Sequence, residues 1–342
     1  MKYNKYLHWF SVFTVCFTFL LIIAGGMVTS TSSGLSVPDW PNTYGQFMFS
    51  FPFKNMVGGI FYEHGHRMIA SFVGFLTVIL AVWIWRAEKR SWVRKLGFAS
   101  LGTVIAQGIL GGLTVLFFLP TAISTGHALI AQTFFCLVIM IAYVNSKEGL
   151  HEYEKTGDSA SPGLRRLCTM AAGMVFLQLL IGAWMRHSEA GLAIPDFPFA
   201  YGKLLPPMTD GDLAQANLMR LHLNLPPVTL SQIWIHFAHR IGAVLVTVLL
   251  MWMATRIFSQ YRKEKKFLLP AIVLVLLLGM QITLGALTVL SGKNPYIATA
   301  HVATGALILG ITLLTTLRSY HLVAPKEQTA SNVSFSSRHA TV

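Results

Sequence analysis

Residues 64–86 read HGHRMIASFVGFLTVILAVWIWR. Between Arg67 and Arg86 there is no charge, and a run of that length is what a bilayer core demands, roughly 20 apolar residues. Similar runs recur along the chain, and we expect eight spans: 7–27, 64–86, 93–118, 122–144, 165–187, 232–257, 267–291 and 296–320. Backbone polar groups in lipid must be satisfied within their own segment, so the spans are expected to be helices. The composition fits the same solvent. The chain is 54% hydrophobic and 11% charged, whereas soluble domains carry about 25% charged residues. The first span follows Lys2 and Lys5 as a signal peptide would, but it has no small-x-small cleavage site before Gly25 and is echoed later in the chain. It reads as a retained helix.

The echo belongs to an internal duplication. Leu113-Thr114-Val115-Leu116 returns as Leu287-Thr288-Val289-Leu290; Gln107 matches Gln281, Gly111 matches Gly285, and His127 matches His301, all at an offset of 174. His66-Arg67 matches His239-Arg240 at 173. Ser33-Gly34-Leu35-Ser36-Val37-Pro38-Asp39-Trp40-Pro41 matches Ala190-Gly191-Leu192-Ala193-Ile194-Pro195-Asp196-Phe197-Pro198 at 157, so the second outer loop is 16 residues longer. An even number of helices per half gives the halves one orientation. The expected fold is therefore an all-α membrane protein, with eight transmembrane helices forming two pseudo-twofold-related four-helix bundles. Residues 1–150 form the N-terminal half, 151–324 the C-terminal half, and 325–342 a polar, disordered tail. The outer loops, roughly 28–62 and 188–231, are rich in proline and aromatics, and Phe47–Phe51 reads as an interfacial piece.

Charge orients the bundle. Lys and Arg number 26 against 13 Asp and Glu, a net +13. The cations fall unevenly: 19 lie on the side of the termini and 7 on the other. Both termini are thus expected in the cytoplasm, with the basic segments 86–95 and 256–266 at an anionic leaflet. Membrane lipid, not nucleic acid, is the partner this pattern implies. Cys16, Cys136 and Cys168 lie outside the outer loops, so no disulfide framework is indicated, and all three read as small buried hydrophobes.

Four histidines carry the chemistry. His66, His127, His239 and His301 open descending helices near the outer face, as two repeat-matched pairs. An intramembrane histidine is a functional candidate by default, and paired imidazoles on facing helices suit the two axial positions of a heme iron. Zinc would want a further cysteine, carboxylate or open water position. The residue four positions on is small each time (Ala70, Ala131, Ala243, Gly305), which reads either as room for a flat macrocycle or as close helix packing. Arg67 and Arg240 lie on the cation-poor side and suit heme propionates; snorkelling to lipid phosphate is the alternative. Glu63 precedes His66 by three and is replaced by His236 in the other half, so the two pockets differ: a carboxylate there can move protons. His64 reads as a loop-edge histidine. Asp39 and Asp196 read as turn stabilisers or substrate contacts.

In combination, Gly25-Gly26-Met27-Val28-Thr29-Ser30, Gly34–Pro41, Glu63-x-x-His66-Arg67, Thr125-Gly126-His127, His239-Arg240 and Ala300-His301 resemble the heme A synthase family over about 1–320. The resemblance implies an oxidoreductase that converts a methyl group of heme O to the formyl group of heme A for cytochrome c oxidase. It also implies that His66 and His127 border the substrate heme O, that His239 and His301 ligate a heme b, and that Glu63 is an essential carboxylate. Heme O synthase and cytochrome c oxidase assembly factors are the implied protein partners, and a bacterial plasma membrane is the implied location. Some bacterial members carry a cysteine pair in the first outer loop; residues 28–62 here have none. A methyl C–H is inert, so its oxidation calls for a redox cofactor. Two hydroxylations to a geminal diol, then loss of water, reach the formyl level. A di-heme b-type protein taking electrons from quinol, or a non-catalytic heme chaperone, would share the four histidines without needing Glu63.

Overall fold

The computed structural model describes residues 3–151 and 160–321. Among the described residues, eight helices are long and apolar enough to cross a membrane: α1 (Lys5–Ser30), α2 (Gly59–Ala87), α3 (Ser91–Leu116), α4 (Thr121–Val144), α6 (Pro162–His187), α8 (Leu230–Gln260), α9 (Lys265–Leu290) and α10 (Pro295–His321). Two shorter α-helices, α5 (Lys147–His151) and α7 (Asp210–His222), and three 3-10 turns, Met48–Ser50, Phe53–Asn55 and Ala190–Leu192, complete the order among the described residues. No strand occurs among the described residues; there are two isolated bridges, Thr43 with Gln46 and Ala200 with Lys203. The chain is thus an all-helical, multi-pass membrane protein. The tail 325–342 lies outside the described residues.

Each span begins one to five residues before its apolar run, and four also end beyond it; α4 and α6 end with theirs, and α3 and α9 end one or two residues short. Hydropathy reads only the stretch immersed in hydrocarbon, whereas a helix continues until something caps it. Thr229 and Gln232 form a capping box that starts α8 two residues early. Asn4 and Ser161 cap α1 and α6 through their side chains. The insertion in the loop at 188–231 is α7, opened by a second capping box of Thr209 and Asp212.

The neighbour pattern is repeated. Helix α1 packs on α2 and α4, with α3 bridging α2 and α4; α6 packs on α8 and α10, with α9 bridging those two. Across the middle, α1 meets α10, α4 meets α6, and α4 meets α10. Exchanging α1 with α6 and α4 with α10 maps these contacts onto themselves. Small polar residues make the close approaches possible: Ser11, Thr14 and Thr18 line the buried stripe of α1 and bond back to their own helix at 2.8–2.9 Å. The largest apolar cluster lies among α6, α8, α9 and α10, including Leu167, Val246, Leu274 and Ile308. Outward-facing Leu276, Val248 and Phe75 stay more than 60% exposed, which suits a surface wetted by lipid. Cys16 is exposed on this outer surface, not buried as expected, while Cys168 is buried.

Candidate functional site

The four repeat-matched histidines each lie about two turns inside their helices, roughly 9–14 Å from the helix start at 1.5 Å per residue. They do not open the helices, because the helix starts lie six to nine residues upstream. His66 belongs to α2, His127 to α4, His239 to α8 and His301 to α10. Each ring lies against a glycine of the preceding long helix. An added Cβ would stand 3.1 Å from His66 Cε1 at Gly25, 3.2 Å from His127 Cε1 at Gly111, 3.0 Å from His239 Cε1 at Gly182 and 3.0 Å from His301 Cε1 at Gly285. These positions are themselves repeat-matched, so both halves seat their imidazoles alike. In sequence Gly111 and Gly285 are a matched pair without a role. Of the small residues four positions after each histidine, Gly305 packs against Leu179 and Gln281, as close helix packing requires.

The His239 and His301 ring centres are 6.4 Å apart. Two metal–nitrogen bonds of about 2.0–2.1 Å, plus about 1.1 Å from each nitrogen to its ring centre, give about 6.3 Å. The pair therefore has the spacing at which both rings reach one metal ion. Nδ1 of His66, His127 and His301 is buried with no hydrogen-bond partner among the described residues, and an orphaned buried nitrogen is costly unless something else engages the ring. Among the described residues no three or more His, Cys, Asp or Glu gather into a metal cluster. Donors that arrive in twos, seated between helices, fit an iron whose other four positions a macrocycle supplies. Gln107 Nε2 lies 3.2 Å from His127 Nε2, and Gln281 Nε2 lies 3.4 Å from His301 Nε2.

Next to the histidine-bearing helices, the loops at 28–62 and 188–231 are pinned by matched contacts. Asp39 accepts from the backbone N–H groups of Tyr44 at 2.8 Å and Gly45 at 2.7 Å; Asp196 accepts from Tyr201 and Gly202, both at 2.8 Å. Burial works against ionisation of Asp39, but the Gly45 and Tyr44 amides and Arg67 outweigh it and hold the carboxyl below its ordinary value. Both aspartates are turn stabilisers. Arg67 donates to the carbonyls of Asp39, Asn42 and Val37, and Arg240 to those of Phe199, Ile194 and Asp196. In the folded chain their guanidinium NH2 groups grip loop carbonyls, because the Pro-Asp turns bring those carbonyls over the helix ends.

Glu63 and His236 occupy the same place. Glu63 is 3% exposed; its Oε2 accepts from Val37 N at 2.7 Å and its Oε1 pairs with Arg67 at 2.6 Å. His236 Nδ1 faces Ile194 N at 3.3 Å. Val37 and Ile194 are repeat partners, so both side chains accept the same loop amide, one as a carboxylate and one as an imidazole. Glu63 is the fifth residue of α2, past the first turn, and its partner is Arg67, not the helix dipole. His64 is buried inside α2, 3.0 Å from Thr43 Oγ1, and is not a loop-edge residue.

The fold and site define a polytopic helical membrane protein carrying a pair of seated histidines in each of two repeats. The chain belongs to the COX15-CtaA family of cytochrome oxidase assembly proteins, whose model matches residues 8–313. Among similar proteins, the heme A synthase of Lysinibacillus sphaericus is 25% identical over 319 residues, covering 91% of this chain and 94% of its own. That of Shewanella oneidensis is 26% identical, covering 90% and 95%. That of Symbiobacterium thermophilum is 28% identical, covering 70% and 72%.

Proposed function

We propose that this chain is a heme A synthase: it oxidises a methyl group of heme O to the formyl group of heme A. The observation that carries this is the pair of glycine-seated histidine sets in a chain of this family, with a carboxylate beside one set only. His66 and His127 flank the substrate heme O, and His239 and His301 hold a resident heme b. The N-terminal half, 1–150, is then the substrate unit and 151–324 the electron-transfer unit, related by the pseudo-twofold that the repeated helix contacts support. Bound heme supplies one-electron and oxygen chemistry that no side chain can.

The protein's own groups set the conditions. The glycines let α1, α3, α6 and α9 approach the rings closely, and the helices exclude water from the reacting edge. Glu63, on the helix face of His66, exchanges protons with the substrate edge at its carboxylate. Arg67 and Arg240 act by fixing the loops that close each pocket from above. The charge asymmetry of the loops supports cytoplasmic termini and pockets near the outer face of a bacterial plasma membrane. The test is chromatography of hemes extracted from cells that make heme O, with and without this gene. Heme A appearing only with the gene supports the proposal; hemes B and O alone overturn it.

A further inference from the structure

We propose that Gln178 is a positioning residue that locks His239 onto its iron, and that its absence from the other half leaves the His66 pocket exchangeable. The inference rests on the heme-binding reading above and concerns why two duplicated pockets would treat their hemes differently. Gln178, on α6, places its amide nitrogen 3.1 Å from His239 Nδ1 and 2.8 Å from the His239 carbonyl oxygen. It fits only because residue 242 is glycine: a Cβ there would overlap Gln178 Oε1.

The repeat supplies the comparison. Gly25 and Gly182 both face a histidine ring, which fixes the register of α1 against α6 and makes Leu21 the counterpart of Gln178. The α2 and α8 register, fixed by His66 and His239, makes Ile69 the counterpart of Gly242. Leu21 and Ile69 instead pack into an apolar cluster with Val73, Phe134 and Phe135, and His66 Nδ1 is left buried without a partner. A polar side chain with a glycine to admit it stands in one half, and two branched hydrophobes stand in the other.

An imidazole that gives Nε2 to a metal carries its proton on Nδ1, and a hydrogen-bond acceptor at that proton fixes the ring and raises the ligand's basicity. The Gln178 carbonyl oxygen has no partner among the described residues; once iron at Nε2 leaves the proton on Nδ1, the amide exchanges its 2.8 Å bond to the His239 carbonyl for an Oε1 contact that accepts from Nδ1–H. His239 is thereby held in one tautomer and one orientation. His66 has no such restraint, and its ring is free to release a heme that must arrive as substrate and leave as product.

The experiment uses full-length protein in detergent and reads heme loss to excess apomyoglobin together with the reduction midpoint potential. In Q178L the C-terminal heme should transfer roughly tenfold faster or more, and its potential should rise because a less basic ligand stabilises ferric iron less. Q178E, which keeps an acceptor, should restore retention. Transfer rate and potential both within twofold and unshifted in a folded Q178L overturn the inference. L21Q/I69G provides the converse test should Q178L fail to fold: heme loss from the N-terminal pocket should slow, and an unchanged rate overturns the inference. Wild-type protein lacking any low-spin, bis-histidine spectrum would overturn the heme reading itself, an outcome distinct from either.

Discussion

Gly285→Ala adds one methyl group where α9 meets the His301 ring. The new Cβ lies 3.0 Å from His301 Cε1, against an optimal carbon–carbon separation of about 3.5–4.0 Å, so ring or helix must yield by roughly 0.5–1.0 Å. Overpacking of this kind costs about 1–3 kcal/mol. In the heme-free protein the ring can tilt away; with an iron fixing it, the cost falls on binding and weakens affinity by about 5–150-fold. Alanine also favours the helix over glycine by about 0.8–1.0 kcal/mol, so the heme-free protein should melt no lower than wild type. Gly279→Ala, in the same helix with nothing within 4 Å of its Cβ, isolates that propensity gain and should leave binding unchanged. Hemin titration of the apoprotein, followed in the Soret band, gives both affinities. If G285A binds within twofold of G279A, the glycines are not seats for the rings.

Glu63→Gln keeps an acceptor for Val37 N–H but removes the charge that pairs with Arg67; conversion should fall by roughly 100-fold or more, with heme O accumulating on chromatography while the His239/His301 heme remains. Conversion at the wild-type rate would reduce Glu63 to a loop anchor. Asp39 is held below its ordinary value of 3.8, so its contribution to the first outer turn is fully present above that value and is lost as pH falls through the lower folded value. Exchange protection of the Tyr44 and Gly45 amides should therefore collapse only in acid, and D39N should lose both the protection and its pH dependence.

The helices were legible because lipid imposes one requirement, about 20 apolar residues with internally satisfied backbone, and the described residues meet it eight times. The histidine pairs were legible because duplication marks them twice. The loop-carbonyl contacts of Arg67 and Arg240 were not, because they depend on where the folded Pro-Asp turns bring the chain. Helix α7 was visible as 16 surplus residues but not as a helix, since its polar sequence carries no membrane signal and its capping box sits inside a proline-rich loop. The glycine seats were hidden for another reason: each contact joins two helices, and neither helix alone gives a reason for its glycine. Gln178 with Gly242 is the same case. The signal that finds them is the repeat offset carried through every position rather than through the motifs alone.

The central claim is that the two histidine pairs hold different hemes, one as substrate and one as resident cofactor. The direct measurement is the chromatographic identity and stoichiometry of hemes bound to purified protein from cells that make heme O, compared across wild type, H66A/H127A and H239A/H301A. The account predicts that losing His66 and His127 removes heme O and heme A while heme B stays, and that losing His239 and His301 removes heme B. Loss of the same heme from both variants, or heme B alone in a wild type whose two pockets are both filled, would contradict it.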